Sequence, residues 1–147
     1  MFRKYAYVPH TADIAFIAYG RSVEEMIENA ALALINVMSD VKKIKKDTSR
    51  IFSMHIKEKA GSIDDLVWMT LQDLLSRKYS LNLALLGIKV SGLDISGDEK
   101  ALKASILYKK PSASADYSLL EVKAVTPHNL KVKKRKGIWC VEITVDI

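Results

Sequence analysis

Two segments of this chain open with the same device. Ser22 stands three residues before Glu25, and Ser62 three before Asp65. At that spacing a hydroxyl takes an orphan N–H of the first helical turn while the acid reaches back toward the cap. Behind Ser22, Val23, Met26, Ile27, Ala30, Ala31, Leu34, Ile35 and Met38 recur at three- and four-residue intervals. Behind Ser62 the same period places Ile63, Leu66, Val67, Thr70, Leu71, Leu74 and Leu75 on one stripe. Each stripe needs an apolar surface to lie against, so the pattern predicts two amphipathic helices, over 22–38 and 62–79, packed on a sheet.

The rest of the chain has the other period. Phe52, Met54 and Ile56 alternate with Ser53, His55 and Lys57, as do Leu86, Ile88 and Val90 with their neighbours. Leu102, Ala104, Ile106 and Tyr108 follow the turn Ser96-Gly97-Asp98-Glu99, and 13–19, 121–126, 130–134 and 138–146 complete the strands. Gly137 makes a hairpin of the last pair. Strands outnumber helices at hairpin spacings. The expected fold is α+β, with mostly antiparallel sheet and the two principal helices packed on one face.

At 147 residues the chain fits one domain, 1–147. With 49% hydrophobic and 27% charged residues it is neither disordered nor collagen-like. Its longest apolar runs, such as 30–35, fall far short of the ~20 residues that span a bilayer. No basic segment followed by an apolar one opens the chain, and Cys140 is its only cysteine. The expectation is a cytoplasmic protein without membrane attachment.

Net charge is +6, unevenly placed. Lys42, Lys43, Lys45, Lys46 and Arg50 against Asp47 give a local +4, and Lys131, Lys133, Lys134, Arg135 and Lys136 a local +5. These runs suit nucleic acid or an acidic protein surface, or are simply solvated loops.

Familiar catalytic signatures are absent. Residues 92–97 have the glycine spacing of a phosphate loop, but Asp98 and Glu99 stand where Lys and Ser or Thr are needed, so the segment reads as a turn. There is no G-x-S-x-G, no H-E-x-x-H and no cysteine cluster. Cys140, between Trp139 and Val141, reads as a small buried hydrophobe rather than a nucleophile.

A short polar motif remains at each end. Pro9-His10-Thr11-Ala12-Asp13 interrupts two apolar runs, either as a turn whose side chains cap local backbone or as part of a site. In 142–147, Ile143, Val145 and Ile147 alternate with Glu142, Thr144 and Asp146. Were Asp13 alongside Asp146 and the Ile147 carboxylate, three anions would repel one another until a cation neutralised them. A frayed, solvated terminus is the alternative.

These residues carry a resemblance. Pro9-His10-Thr11-Ala12-Asp13-Ile14, Gly20, and the Ser22 helix ending in Met38-Ser39-Asp40 resemble the opening of the archease family. Residues 64–75, 121–126 and the closing Val145-Asp146-Ile147 are similar to its later blocks, in the same order. Pro127 departs from the family, which commonly has an aromatic residue there. So does the loop before Glu121, which carries Lys109 and Lys110 without the usual Gly-Glu lead-in.

The resemblance implies a non-catalytic accessory protein that activates the GTP-dependent tRNA-splicing RNA ligase, promoting its guanylylation and multiple turnover. It also implies a divalent cation, Ca2+ first with Mg2+ or Mn2+ as alternatives, held by Asp13, the Asp146 side chain and the Ile147 carboxylate. His10, Asp40 and Lys123 are candidates for supporting the ligands or touching the partner. Two other classes stay open. One is a chaperone-like modulator of a tRNA-modifying enzyme such as a methyltransferase. The other is an RNA-binding module using the runs Lys42–Lys46 and Lys131–Lys136, although aromatic residues total only 7%.

Overall fold

The computed structural model of the chain describes residues 2–9 and 13–147. Its elements, in order, are β1 (Tyr5–Val8), β2 (Ile14–Gly20), α1 (Val23–Met38), α2 (Val41–Lys46), β3 (Phe52–Ala60), α3 (Ile63–Leu81), β4 (Ala84–Asp94), β5 (Lys100–Lys109), β6 (Ala124–Arg135) and β7 (Ile138–Asp146). They form two antiparallel sheets, one of order β1-β2-β7-β6 and one of order β3-β5-β4. The fold is the expected α+β class.

Both long helices start where their caps predict. The Ser22 hydroxyl accepts from the Glu25 amide at 3.1 Å, and the Ser62 hydroxyl from the Asp65 amide at 3.1 Å. The Glu25 carboxylate reaches one residue further back than a capping box requires, to the Arg21 amide. Every residue of the first stripe is buried, and so are Asn29, Ala33 and Val37 outside it. The excess has a cause. Helix α1 packs against both β2 and β4, and α3 against β6 and β3, so the two helices are shared between the sheets.

The helices also finish the sheet edges. On β6, the amides of Val125 and Val132 donate to Gln72 Oε1 and Asp64 Oδ1 of α3, and the Trp68 indole donates to the Val125 carbonyl. On β4, the Val90 amide donates to Glu28 of α1 at 2.9 Å. These side chains occupy backbone groups that would otherwise template pairing with another chain.

Several local expectations change. Strand β1 was not anticipated; Tyr7 secures it by donating to the Ala33 carbonyl at 2.9 Å while its ring meets Phe16 edge-on. The first lysine run is not a loop but helix α2, with Val41 and Ile44 buried and its lysines exposed. The segments 121–126 and 130–134 are not two strands. One strand, β6, carries an irregularity between Thr126 and Lys131, and Pro127 falls in that gap, where no ladder bond is lost. A register shift in β4 buries Leu85 instead of Leu86. The 96–99 turn is as expected, closed by Asp94, whose carboxylate accepts from the Ser96 amide and hydroxyl.

Candidate functional site

The inner face of the four-stranded sheet carries Phe16, Ala18, Val141, Ile143 and Val145, all buried in the core. The pleat sends the alternate residues outward, so the outer face of β7 reads Cys140, Glu142, Thr144 and Asp146. Cys140 is therefore half-exposed on an open surface rather than buried.

Ile14 pairs with Val145 as the last pair of the β2–β7 ladder, and Asp13 and Asp146 are the next residues along their chains at that end. On its other side Asp146 pairs with Ala124, and its carboxylate accepts from the Thr126 hydroxyl at 3.4 Å. The Asp146 carbonyl accepts from the Lys123 amide at 2.8 Å. Strand β7 is thus held up to Asp146 on the β6 side and up to Val145 on the β2 side, which fixes Asp146 more firmly than a frayed end could. Ile147 behaves differently. It continues the alternation of Ile143 and Val145 but lies beyond the strand and is 41% exposed. Its side chain does not anchor the terminus; the bond from Lys123 to Asp146 does.

The remaining candidates are more scattered. The exposed Lys123 is adjacent through its backbone. Asp40 caps α2, its carboxylate accepting from the Lys43 amide at 3.2 Å, while its own amide donates to the Tyr117 carbonyl. His10, with Thr11 and Ala12, lies outside the described residues. Among those described, no three His, Cys, Asp or Glu side chains gather as a metal cluster. The side-chain donors at this end of β2 and β7 are Asp13, Asp146 and the Thr126 hydroxyl. All are hard oxygens, which suit calcium, magnesium or manganese and give zinc or copper no reason to be preferred.

Beside Asp13 the surface turns apolar. A groove of about 430 Å³ runs between Tyr7, Ile14 and Ala15 on one wall and Val37, Leu119 and Leu120 on the other. Leu119 and Leu120 are 57% and 46% exposed, although the Leu119 amide donates to Met38 and the Leu120 amide to Val37 at the end of α1. Sequence reading missed this groove because its lining is drawn from four separate segments.

Lys109 shows a different use of charge. It is 6% exposed, and its Nζ donates to the carbonyls of Ile44 and Asp47 at the end of α2. The Tyr117 hydroxyl donates to the Asp47 carboxylate, and this bond, with those from Ser49, holds the Asp47 carboxyl down at about 2. The same bond raises the Tyr117 pKa. Lys109 thus fastens α2 to β5 from within.

The profile of the archease protein family matches residues 5–147. A protein archease of Methanosarcina barkeri is 34% identical over 145 residues, covering 99% of this chain and 97% of that one. One from Sulfolobus acidocaldarius is 31% identical, covering 98% and 99%. The solution structure of Methanobacterium thermoautotrophicum protein 1598 superposes with a TM-score of 0.79 at 25% identity, covering 98% and 99%. The crystal structure of a Thermotoga maritima archease, described as a possible chaperone, matches in fold with a TM-score of 0.53 at 20% identity, covering 95% and 94%. No helix is long and apolar enough to cross a membrane among the described residues.

Proposed function

Because the chain belongs to the archease protein family, we propose that it is a non-catalytic accessory protein that activates a GTP-dependent tRNA-splicing RNA ligase. The observation that supports this best is that Asp13 and Asp146 follow directly on the last pair of the β2–β7 ladder, at one end of the sheet, with Asp146 held to β6 and to the Lys123 amide. Asp13, Asp146 and the Ile147 carboxylate would hold a divalent cation, calcium first. Bound there, the ion would supply charge neutralisation between groups that otherwise repel.

What this chain's own residues do is mostly positional. The β2–β7 ladder presents the two aspartates at one end of a sheet, Thr126 orients Asp146, and Lys123 ties its backbone down. Guanylyl transfer itself belongs to the ligase. An activator of this kind raises turnover only by binding the competent ligase conformation more tightly than the stalled one. The apolar groove beside Asp13 offers a contact surface for that discrimination.

The groove also supports a second reading, a chaperone-like contact with another RNA enzyme such as a tRNA methyltransferase, for which the Thermotoga maritima relative's description gives a parallel. One experiment addresses the first reading. With substoichiometric cognate ligase, GTP and broken RNA, added protein should raise multiple-turnover yield, while the protein alone joins nothing and hydrolyses no GTP. Unchanged yield across protein ratios and across Ca2+, Mg2+ and Mn2+ would contradict it, and recovery of a methyltransferase in pulldowns instead of the ligase would favour the second.

A further inference from the structure

At the other end of the outer sheet face the charge reverses. Lys131, Lys133 and Arg135 alternate along β6 and line a groove of about 250 Å³ with Ile17, Asn129, Cys140 and Glu142. Residues two apart on a strand are roughly 6.7 Å apart and point the same way. The three cations therefore form a straight, evenly spaced row. Register sets Lys131 against Glu142 and Ile17, and Lys133 against Cys140 and Tyr19. The floor beside the row is thus partly apolar, and Tyr19 of β2 follows Cys140 in the same cross-strand row, just outside the groove's own lining. The irregularity between Thr126 and Lys131, with Asn129 at φ 62°, brings Asn129 to the groove wall.

Lysines on an edge strand usually need no further explanation, because they discourage pairing with another chain. Here that task is already done. Asp64 and Gln72 of α3 occupy the edge amides of Val132 and Val125. Among the described residues neither Lys131, Lys133 nor Arg135 is in a salt bridge. Lys134, on the opposite face, is spent on the Trp139 ring at 5.2 Å.

We propose that the open face of β6, β7 and β2 binds single-stranded RNA along its backbone, with Lys131, Lys133 and Arg135 contacting successive phosphates and Ile17 and Tyr19 lying under the bases. An evenly spaced row of cations beside an apolar and aromatic floor is what a flexible polyphosphate with stackable bases requires. Glu142 is the one acid in the groove, and Lys131 stands directly across from it. On β7, Glu142 and Cys140 lie four and six residues from Asp146, roughly 13 and 20 Å along the same face. A strand seated on the row could run toward the aspartates. The choice of RNA over DNA rests on the ligase reading above; the row and the floor do not.

The test uses the full chain alone, in EDTA, so its outcome is independent of ligase and of metal. Binding of a fluorescein-labelled 12-nucleotide unstructured RNA is followed by anisotropy between 25 and 200 mM salt. Three phosphate contacts give a slope of log affinity against log salt near −2, at about −0.7 per phosphate. Lys131→Gln/Lys133→Gln should flatten the slope by about 1.4. Lys42→Gln/Lys45→Gln removes the same charge from exposed positions on α2 and should leave it nearly unchanged. No binding by the unmodified protein at 25 mM salt, or equal flattening by both pairs, would overturn the assignment. Tighter binding of the same DNA sequence would overturn the choice of RNA, and equal binding of poly-glutamate would overturn nucleic acid altogether.

Discussion

Gly20 closes on Met26: a Cβ at position 20 would fall inside contact distance of the Met26 amide nitrogen and 2.7 Å from the Ser22 carbonyl. The last residue of β2 and the first turn of α1 touch backbone to backbone, and neither is free to give way. Gly20→Ala should therefore destabilise the fold by on the order of 3 kcal/mol, a fall of about 10 °C in thermal midpoint. Calorimetry checks it; a change of under 2 °C would mean that the junction relaxes.

Lys109 supplies a buried cation to the carbonyl end of α2. Lys109→Met keeps most of the volume but leaves those carbonyls unpaired, at about 2 kcal/mol. The loss should be local. Amide exchange should accelerate over 41–50 before it does in α1, and uniform acceleration would contradict a local role.

Burial pushes the Glu58 carboxyl up to about 8, helped by its hydrogen bond to Asp73 and the charge there. Asp73 goes the other way: burial opposes its ionisation, but bonds with Glu58 and Arg77 hold its pKa down. For Glu58 the folded state keeps a proton that the unfolded chain releases near 4.5. Stability from this group is complete below that value and is lost as pH rises through about 8. Glu58→Gln should remove the decline and raise the thermal midpoint at pH 8.5. A wild-type midpoint flat between pH 5 and 8.5 would contradict the assignment.

The helices were the most legible part of the sequence, because Ser22, Ser62 and their stripes act through neighbours three and four residues away. Strand β7 was legible for the same reason, since its period of two holds from Ile138 to Asp146. Helix α2 was not. Its fold depends on Val41 and Ile44 finding the core and on Lys109, 65 residues from Ile44, closing its end. The split of the sheet into two was equally hidden, because α1 serves both and a stripe does not say how many surfaces it meets. That Asp13 and Asp146 sit at the same end of one ladder could be imagined from the chain ends, but only the Ile14–Val145 register supplies it. The apolar groove beside it had no local signal.

The terminal residue gives a further prediction. Ile147 is partly exposed and the Lys123–Asp146 bond holds the strand in its place. Ile147→Ala should therefore leave calcium affinity within about twofold, whereas a short extension after residue 147, which replaces a carboxylate with an amide, should lower it. Titration of both forms separates side chain from terminus. Equal affinity in the extended form would remove the Ile147 carboxylate from the ligand set.

The most direct measurement is calorimetric titration of calcium into the intact protein and into Asp146→Asn, with circular dichroism confirming that both are folded. Ligand charge governs the affinity of a calcium site. The intact chain should bind one ion, and the variant should bind it at least about tenfold more weakly. Equal affinity in the two proteins, or no heat in either, would contradict a cation site between Asp13 and Asp146.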